Sequence, residues 1–317
     1  MVTKKDFTYD SRDGKTKIHA VRWEQETALP VKPVAILQIV HGMAEYIDRY
    51  DRFARYMADH GLLVTGNDHL GHGRSLADGN PLGYFCENDP ATVIVRDVHR
   101  LKKMTQEEYP GVPYILFGHS MGSFIARDYL TRYGTGIQGA IIQGTGYQAA
   151  SLAHAGKVIA AIQKVFTGAR HPSGLMNAIA FGGYLKEIHP LRTKMDWLSY
   201  NEKNVDDYIA DPLLGFTFTV NGFQTLMELV LRSGDVARMQ KIPKDLPVYL
   251  CSGEDDPVGE NSAAVKRLYE VYRDTLQLKD LTFKLYPHMR HEILMEDDWE
   301  TVCEEYLRWI GEHWKDM

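Results

Sequence analysis

The hydrophobic positions of this chain fall into short runs separated by longer stretches of helical spacing. "VAILQIV" (34–40) is almost wholly apolar, the pattern of a strand covered on both faces. "GLLVTG" (61–66), "PYILF" (113–117), "GAIIQG" (139–144), "PVYLC" (247–251) and "LTFKLY" (281–286) repeat it. Residues 45–60 and 89–109 carry helical periodicity between these runs. Near the start, "DFTYDSRDGKTKIHAVRW" alternates apolar and polar residues around Asp13-Gly14, a hairpin signal whose glycine can take positive φ. Strands alternating with helices predict an α/β fold: a mostly parallel central sheet with helices on both faces.

One segment departs from that rhythm. From about Tyr147 to Gln240 the pattern is helical throughout, and the segment follows the sixth predicted strand. Val158, Ile159, Ile162, Val165 and Phe166 share one helical face; Phe223, Leu226, Met227, Val230 and Leu231 share another. An insertion of this size is either a lid or an extra covering of the core. The predicted division is therefore a core in two parts, 1–146 and 241–317, with a helical insertion over 147–240 as lid or cap.

Composition narrows the picture. The chain has 317 residues, 44% of them hydrophobic and 25% charged, which is ordinary for a soluble globular protein. A formal charge of −6 makes nucleic acid a poor partner. The insertion is nearly neutral, with nine Lys/Arg against eight Asp/Glu, so it could make transient contact with a membrane surface without strong repulsion. No stretch approaches the ~20 apolar residues that span a bilayer, and "MVTKKDFTYDSRDG" lacks a signal-peptide core. The three scattered cysteines, Cys86, Cys251 and Cys303, accordingly read as reduced thiols in a cytoplasm.

Candidate chemistry centres on "GHSMG" (118–122). "PYILF" supplies a strand before it, and Met121, Ile125, Tyr129 and Tyr133 follow at helical spacing. That strand-turn-helix context is what the nucleophile elbow G-x-S-x-G requires, and it makes Ser120 the candidate nucleophile. A serine hydroxyl needs a base and a group to orient that base. In this fold they follow in the order carboxylate, then histidine. "PVYLCSGEDDPVG" offers Asp256, with Asp255 as its rival, just after a strand. "FKLYPHMRHEI" offers His288 and His291 after the last strand. An oxyanion hole needs two amides. The residue after the nucleophile, Met121, supplies one. Met43 supplies the other from "HGMAEY" (41–46), where Gly42 lets the chain turn its next amides inward. "DHLGHGRS" (68–75) places His69 and His72 three apart, but glycines flank them instead of further ligands, so a structural loop is preferred to a metal site.

Taken together, "HGMAEY", "DHLGHGRS", "GHSMG", "SGEDDPVG" and "YPHMRHE" resemble the α/β-hydrolase superfamily, in its monoacylglycerol lipase and lysophospholipase-like branch. The resemblance implies the α/β-hydrolase fold, with Ser120 as nucleophile, Asp256 as acid and His291 as base. It also implies the amides of Met43 and Met121 as the oxyanion hole and 147–240 as a helical lid over an acyl pocket. The first loop departs from the family's histidine-glycine-small-glycine-glutamate by carrying Met43 and Ala44. The expected activity is serine hydrolysis of a lipid-like ester, a small-molecule substrate, with no metal or organic cofactor. A short-chain carboxylesterase, a thioesterase, an aminopeptidase of the same fold and a non-catalytic binding protein are the alternatives.

Overall fold

The computed structural model of the chain describes residues 1–26 and 32–314. Among them, eight strands form one sheet: β1 (Val2–Asp10), β2 (Lys17–Gln25), β3 (Ile36–Val40), β4 (Leu63–Asn67), β5 (Tyr114–His119), β6 (Gly139–Gln143), β7 (Val248–Gly253) and β8 (Leu281–Tyr286). Their spatial order is β1-β2-β4-β3-β5-β6-β7-β8. The hairpin β1–β2 and the pair β2–β4 are antiparallel, and every pairing from β4 to β8 is parallel. Gly14 turns the hairpin at φ +76°, and the Asp13 carboxylate accepts from Lys15 N, Thr16 N and Thr16 Oγ1.

The apolar runs form the centre of the sheet because their residues alternate between two cores. On one face, Ile36, Val40, Leu116, Ile142 and Leu250 pack beneath α2 (Pro90–Glu108) and α3 (Met121–Tyr133). On the other, Leu37, Ile39, Phe117, Ile141 and Tyr249 pack against α1 (Asp51–Asp59) and α10 (Trp299–Trp314). The predicted helix 45–60 opens as a 3-10 turn over 47–50 and becomes α-helical only at Asp51. Cys86, Cys251 and Cys303 are all free and buried.

Five helices occupy the insertion between β6 and β7: α4 (Ala150–Thr167), α5 (Gly174–Phe181), α6 (Glu202–Ala210), α7 (Val220–Gly234) and α8 (Val236–Met239). After β7 comes α9 (Ala263–Glu270). The apolar face of α7 turns inward: Phe223, Leu226 and Leu229 are buried. The face predicted on α4 behaves otherwise. An apolar helical stripe ordinarily faces a core, yet Val158, Ile162, Val165 and Phe166 are exposed. Instead α4 buries its small residues Ala153, Gly156 and Ala160, which allow close approach to α7. No helix among the described residues is long and apolar enough to cross a membrane.

Candidate active site

Ser120 stands between β5 and α3 at φ 54° and ψ −122°, a region that side-chain-bearing residues seldom adopt. The turn closes because glycines flank it. A side chain at Gly122 would run into the Val40 carbonyl, and a Cβ at Gly118 would lie 2.6 Å from the Gly122 carbonyl oxygen. The serine thus projects beyond the carboxyl end of the sheet. The N-terminus of α3 lies beneath it, where negative charge is favoured.

The loops after β7 and β8 bring up its candidate partners. Asp256 and His291 are both buried, with His291 Nδ1 3.0 Å from each Asp256 carboxylate oxygen. Asp256 also accepts from Ser252 Oγ at 2.8 Å and Val258 N at 2.9 Å. Burial works to raise the Asp256 carboxyl, but His291 and these donors hold it below its ordinary value. Burial likewise opposes protonation of His291, yet the neighbouring Asp256 charge raises its pKa above 6.5. The rival residues lie elsewhere: Asp255 accepts from the Tyr200 hydroxyl at 3.0 Å, and His288 is exposed at a positive-φ turn. Ser120 and His291 line the same cavity, and no hydrogen bond joins their side chains among the described residues.

The loop after β3 closes the site. A Cβ at Gly42 would come within 3.0 Å of Ser120 Cβ, so the loop passes directly over the serine. Gly42 N donates to the Glu45 carboxylate and Ala44 N to His72 Nε2 at 3.3 Å. Among the hydrogen bonds of the described residues, none uses Met43 N or Met121 N as donor. Both residues line the cavity.

Around this centre lies a charge network that the sequence reading missed. Glu45 accepts from Arg49 Nη1 at 2.9 Å and from the Tyr50 hydroxyl at 2.8 Å. Arg49 also clamps Glu292 at 2.6 and 3.1 Å and reaches Asn204 of α6 at 3.2 Å. One guanidinium therefore ties together the loop after β3, the residue following His291 and the insertion. Burial works to raise the Glu292 carboxyl, but Arg49 overcomes it and holds the group at about 2. Burial, with Glu292 close by, leaves Glu45 raised. The available sequence signal was Glu45 four residues before Arg49.

The cavity over Ser120 measures about 700 Å³. Met121 and Phe124 of α3, Gly156 and Ile159 of α4, Met176 of α5, and Leu226, Met227 and Val230 of α7 form its apolar walls. Trp197 lies against the His291 ring at 5.2 Å, within an aromatic group that includes Phe181 and Tyr184.

A mostly parallel eight-stranded sheet, an elbow serine at the end of its fifth strand, and a paired aspartate and histidine after its last two strands, β7 and β8, define an α/β-hydrolase of the serine hydrolase class. The family described as "Serine aminopeptidase, S33" matches residues 31–298, and the chain belongs to it. Among curated relatives, the monoacylglycerol lipase of Mycolicibacterium smegmatis is 26% identical over 286 residues, 89% of each chain. The Homo sapiens monoglyceride lipase is 27% identical, across 88% of this chain and 83% of its own. Among solved structures, a thermostable carboxyl esterase from Bacillus coagulans, in complex with glycerol, superposes with a TM-score of 0.87 at 28% identity, covering 98% of this chain and 99% of its own. A soluble variant of the Saccharomyces cerevisiae monoglyceride lipase shares the fold, with a TM-score of 0.74 at 20% identity, over 98% of this chain and 94% of its own.

Proposed function

We propose that the protein hydrolyses carboxylic esters of single-chain acyl lipids, of the monoacylglycerol or lysophospholipid class, through Ser120, His291 and Asp256. His291 takes the Ser120 proton as Oγ attacks the ester carbonyl, while Asp256 holds the imidazole tautomer and stabilises the imidazolium. The amides of Met43 and Met121 receive the tetrahedral oxyanion. His291 then protonates the leaving alcohol, and water cleaves the acyl-enzyme by the same route. The observation that carries this reading is the apolar cavity directly over Ser120, bordered by a buried Asp256–His291 pair.

The family's name raises an aminopeptidase as the second reading. A free substrate amine needs an uncommitted carboxylate, and those lining the cavity are engaged. Glu45 and Glu292 hold Arg49, and Glu260 holds Arg267 at 2.8 Å. An ester with an apolar acyl chain fits the walls better. We read residues 147–240 as the lid, with exposed Leu152, Val158, Ile162, Val165, Phe166, Leu175 and Ile179 as the face that meets aggregated lipid.

The test pairs a fluorophosphonate probe with a graded ester series. The probe should label the native protein but not Ser120→Ala, and Ser120→Ala, His291→Ala and Asp256→Asn should each cost about 10⁴-fold in kcat or more. kcat/KM should climb from two-carbon esters upward by nearly fourfold per methylene, at about 0.8 kcal/mol each, until the cavity is full. A steady decline from the shortest ester would overturn the lipid assignment.

A further inference from the structure

The loop "DHLGHGRS" (68–75) has no place in the reaction above, and none of its residues lines the cavity among the described residues. Its hydrogen bonds lead back to the loop that carries Met43. His72 Nδ1 lies 3.0 Å from the Leu70 carbonyl, so it bears the proton and leaves Nε2 as an acceptor for Ala44 N–H at 3.3 Å. His41 Nδ1–H donates to the Gly42 carbonyl at 2.8 Å, and its Nε2 accepts from His69 N–H at 3.0 Å. These bonds fall on the two peptide groups on either side of Met43. Because a peptide group is planar, holding the Gly42 carbonyl fixes the direction of Met43 N–H at its other end. Holding Ala44 N–H fixes the next plane.

Ala44 makes the need for such a hold concrete. It sits at φ +54°, where residues other than glycine are uncommon. Its carbonyl is clamped from the insertion by Gly215 N at 3.0 Å and the Tyr208 hydroxyl at 3.4 Å. The His72 ring is in turn wedged by Phe85, Phe216 and Phe218, at centroid distances of 5.4, 5.3 and 5.2 Å. Burial depresses its pKa to about 4, which preserves the accepting lone pair.

We propose that His72 is a positioning residue: accepting from Ala44 N–H, it holds Ala44 in the left-handed conformation that aims Met43 N–H at the oxyanion. The inference rests on Met43 N–H being an oxyanion donor, as proposed above.

His72→Phe keeps the ring contacts and removes the acceptor. For a soluble short-chain ester, kcat should fall about 10- to 100-fold with KM within about twofold. Affinity for a trifluoromethyl ketone, which binds as an oxyanion, should fall by the same factor. His72→Gln, whose Oε1 reaches the position of Nε2, should recover most of the loss; a merely structural role would not show that rescue. A wild-type kcat in His72→Phe, or a folded His72→Gln as impaired as His72→Phe, would overturn the proposal. If His72→Phe does not fold, His72→Asn replaces it with the same expectations, because its side chain stops short of Ala44 N–H. Met43→Pro separates the two readings. If it keeps full kcat, the oxyanion assignment fails; if it loses about 100-fold while His72→Phe loses nothing, only the His72 role fails.

Discussion

Helices α4 and α7 lie against each other in the insertion, and both carry apolar residues at helical spacing, yet they use them in opposite ways. On α7 the large residues face inward, and Phe223 is 0% exposed. Met227 and Val230 of the same helix line the cavity. On α4 the contact surface is built from Ala153, Gly156 and Ala160, and a Cβ at Gly156 would lie 3.0 Å from Met227 Sδ. The large residues are displaced to the far side, where Val165 and Phe166 are 81% and 82% exposed. An apolar stripe therefore declares that a helix has a partner without saying which partner. For α7 it is the protein's own core; for α4 we read it as a lipid surface.

Four measurements bear on that contrast. The largest effect should be thermodynamic. Phe223→Ala should cost about 3–5 kcal/mol of unfolding free energy in a urea titration, while Phe166→Ser should stay within about 0.5 kcal/mol of wild type. Equal losses would mean that α4 is packed after all. Next, a double Val165→Ser/Phe166→Ser variant should lose about 100-fold or more in kcat/KM for monoacylglycerol carried in vesicles, since each side chain forfeits at least roughly 1.5 kcal/mol of interfacial burial. Its rate on soluble p-nitrophenyl butyrate should not change, and a matching loss there would remove the lipid-surface reading. Third, Val230→Phe should fill part of the cavity and move the preferred acyl length down by about two carbons, since a close-packed wall leaves no slack. Val158→Phe on α4 should leave the ester profile in place.

The smallest effect should be on pH dependence. In the proposed mechanism His291 must be neutral to accept the Ser120 proton, so kcat/KM should fall as pH drops through its pKa, which the Asp256 charge places above 6.5. Neither the α4 nor the α7 variants touch that pair, and their acid limbs should overlay the wild type. Asp256→Asn removes the charge that favours imidazolium and should move the limb of its residual activity to lower pH.

Much of this arrangement was legible from residue order. The apolar runs marked the strands because a parallel strand covered on both faces has no polar side to show, as β3 with five buried residues illustrates. The elbow was legible for a related reason: only glycine fits at 122 against the Val40 carbonyl. Neighbouring carboxylates were harder to rank, since Asp255 and Asp256 differ by one position and only the turn at 257–259 sends one inward to His291 and the other out to Tyr200. Apart from the spacing of Glu45 and Arg49, the roles of Arg49, His41 and His72 were not legible. They act on backbone groups and on carboxylates up to 243 residues away, and no local spacing encodes such contacts. The outward face of α4 escaped because periodicity has no sign.

The three cysteines acquire a practical meaning here. Burial raises the Cys86 and Cys251 thiols to about 12 and lifts Cys303 as well, so all three stay protonated and shielded near neutral pH. A maleimide should pass them by. The native chain is thus already a background for site-directed labelling, without the usual prior removal of endogenous thiols. A single environment-sensitive dye on Phe166→Cys could then report, by its emission shift, when α4 leaves water.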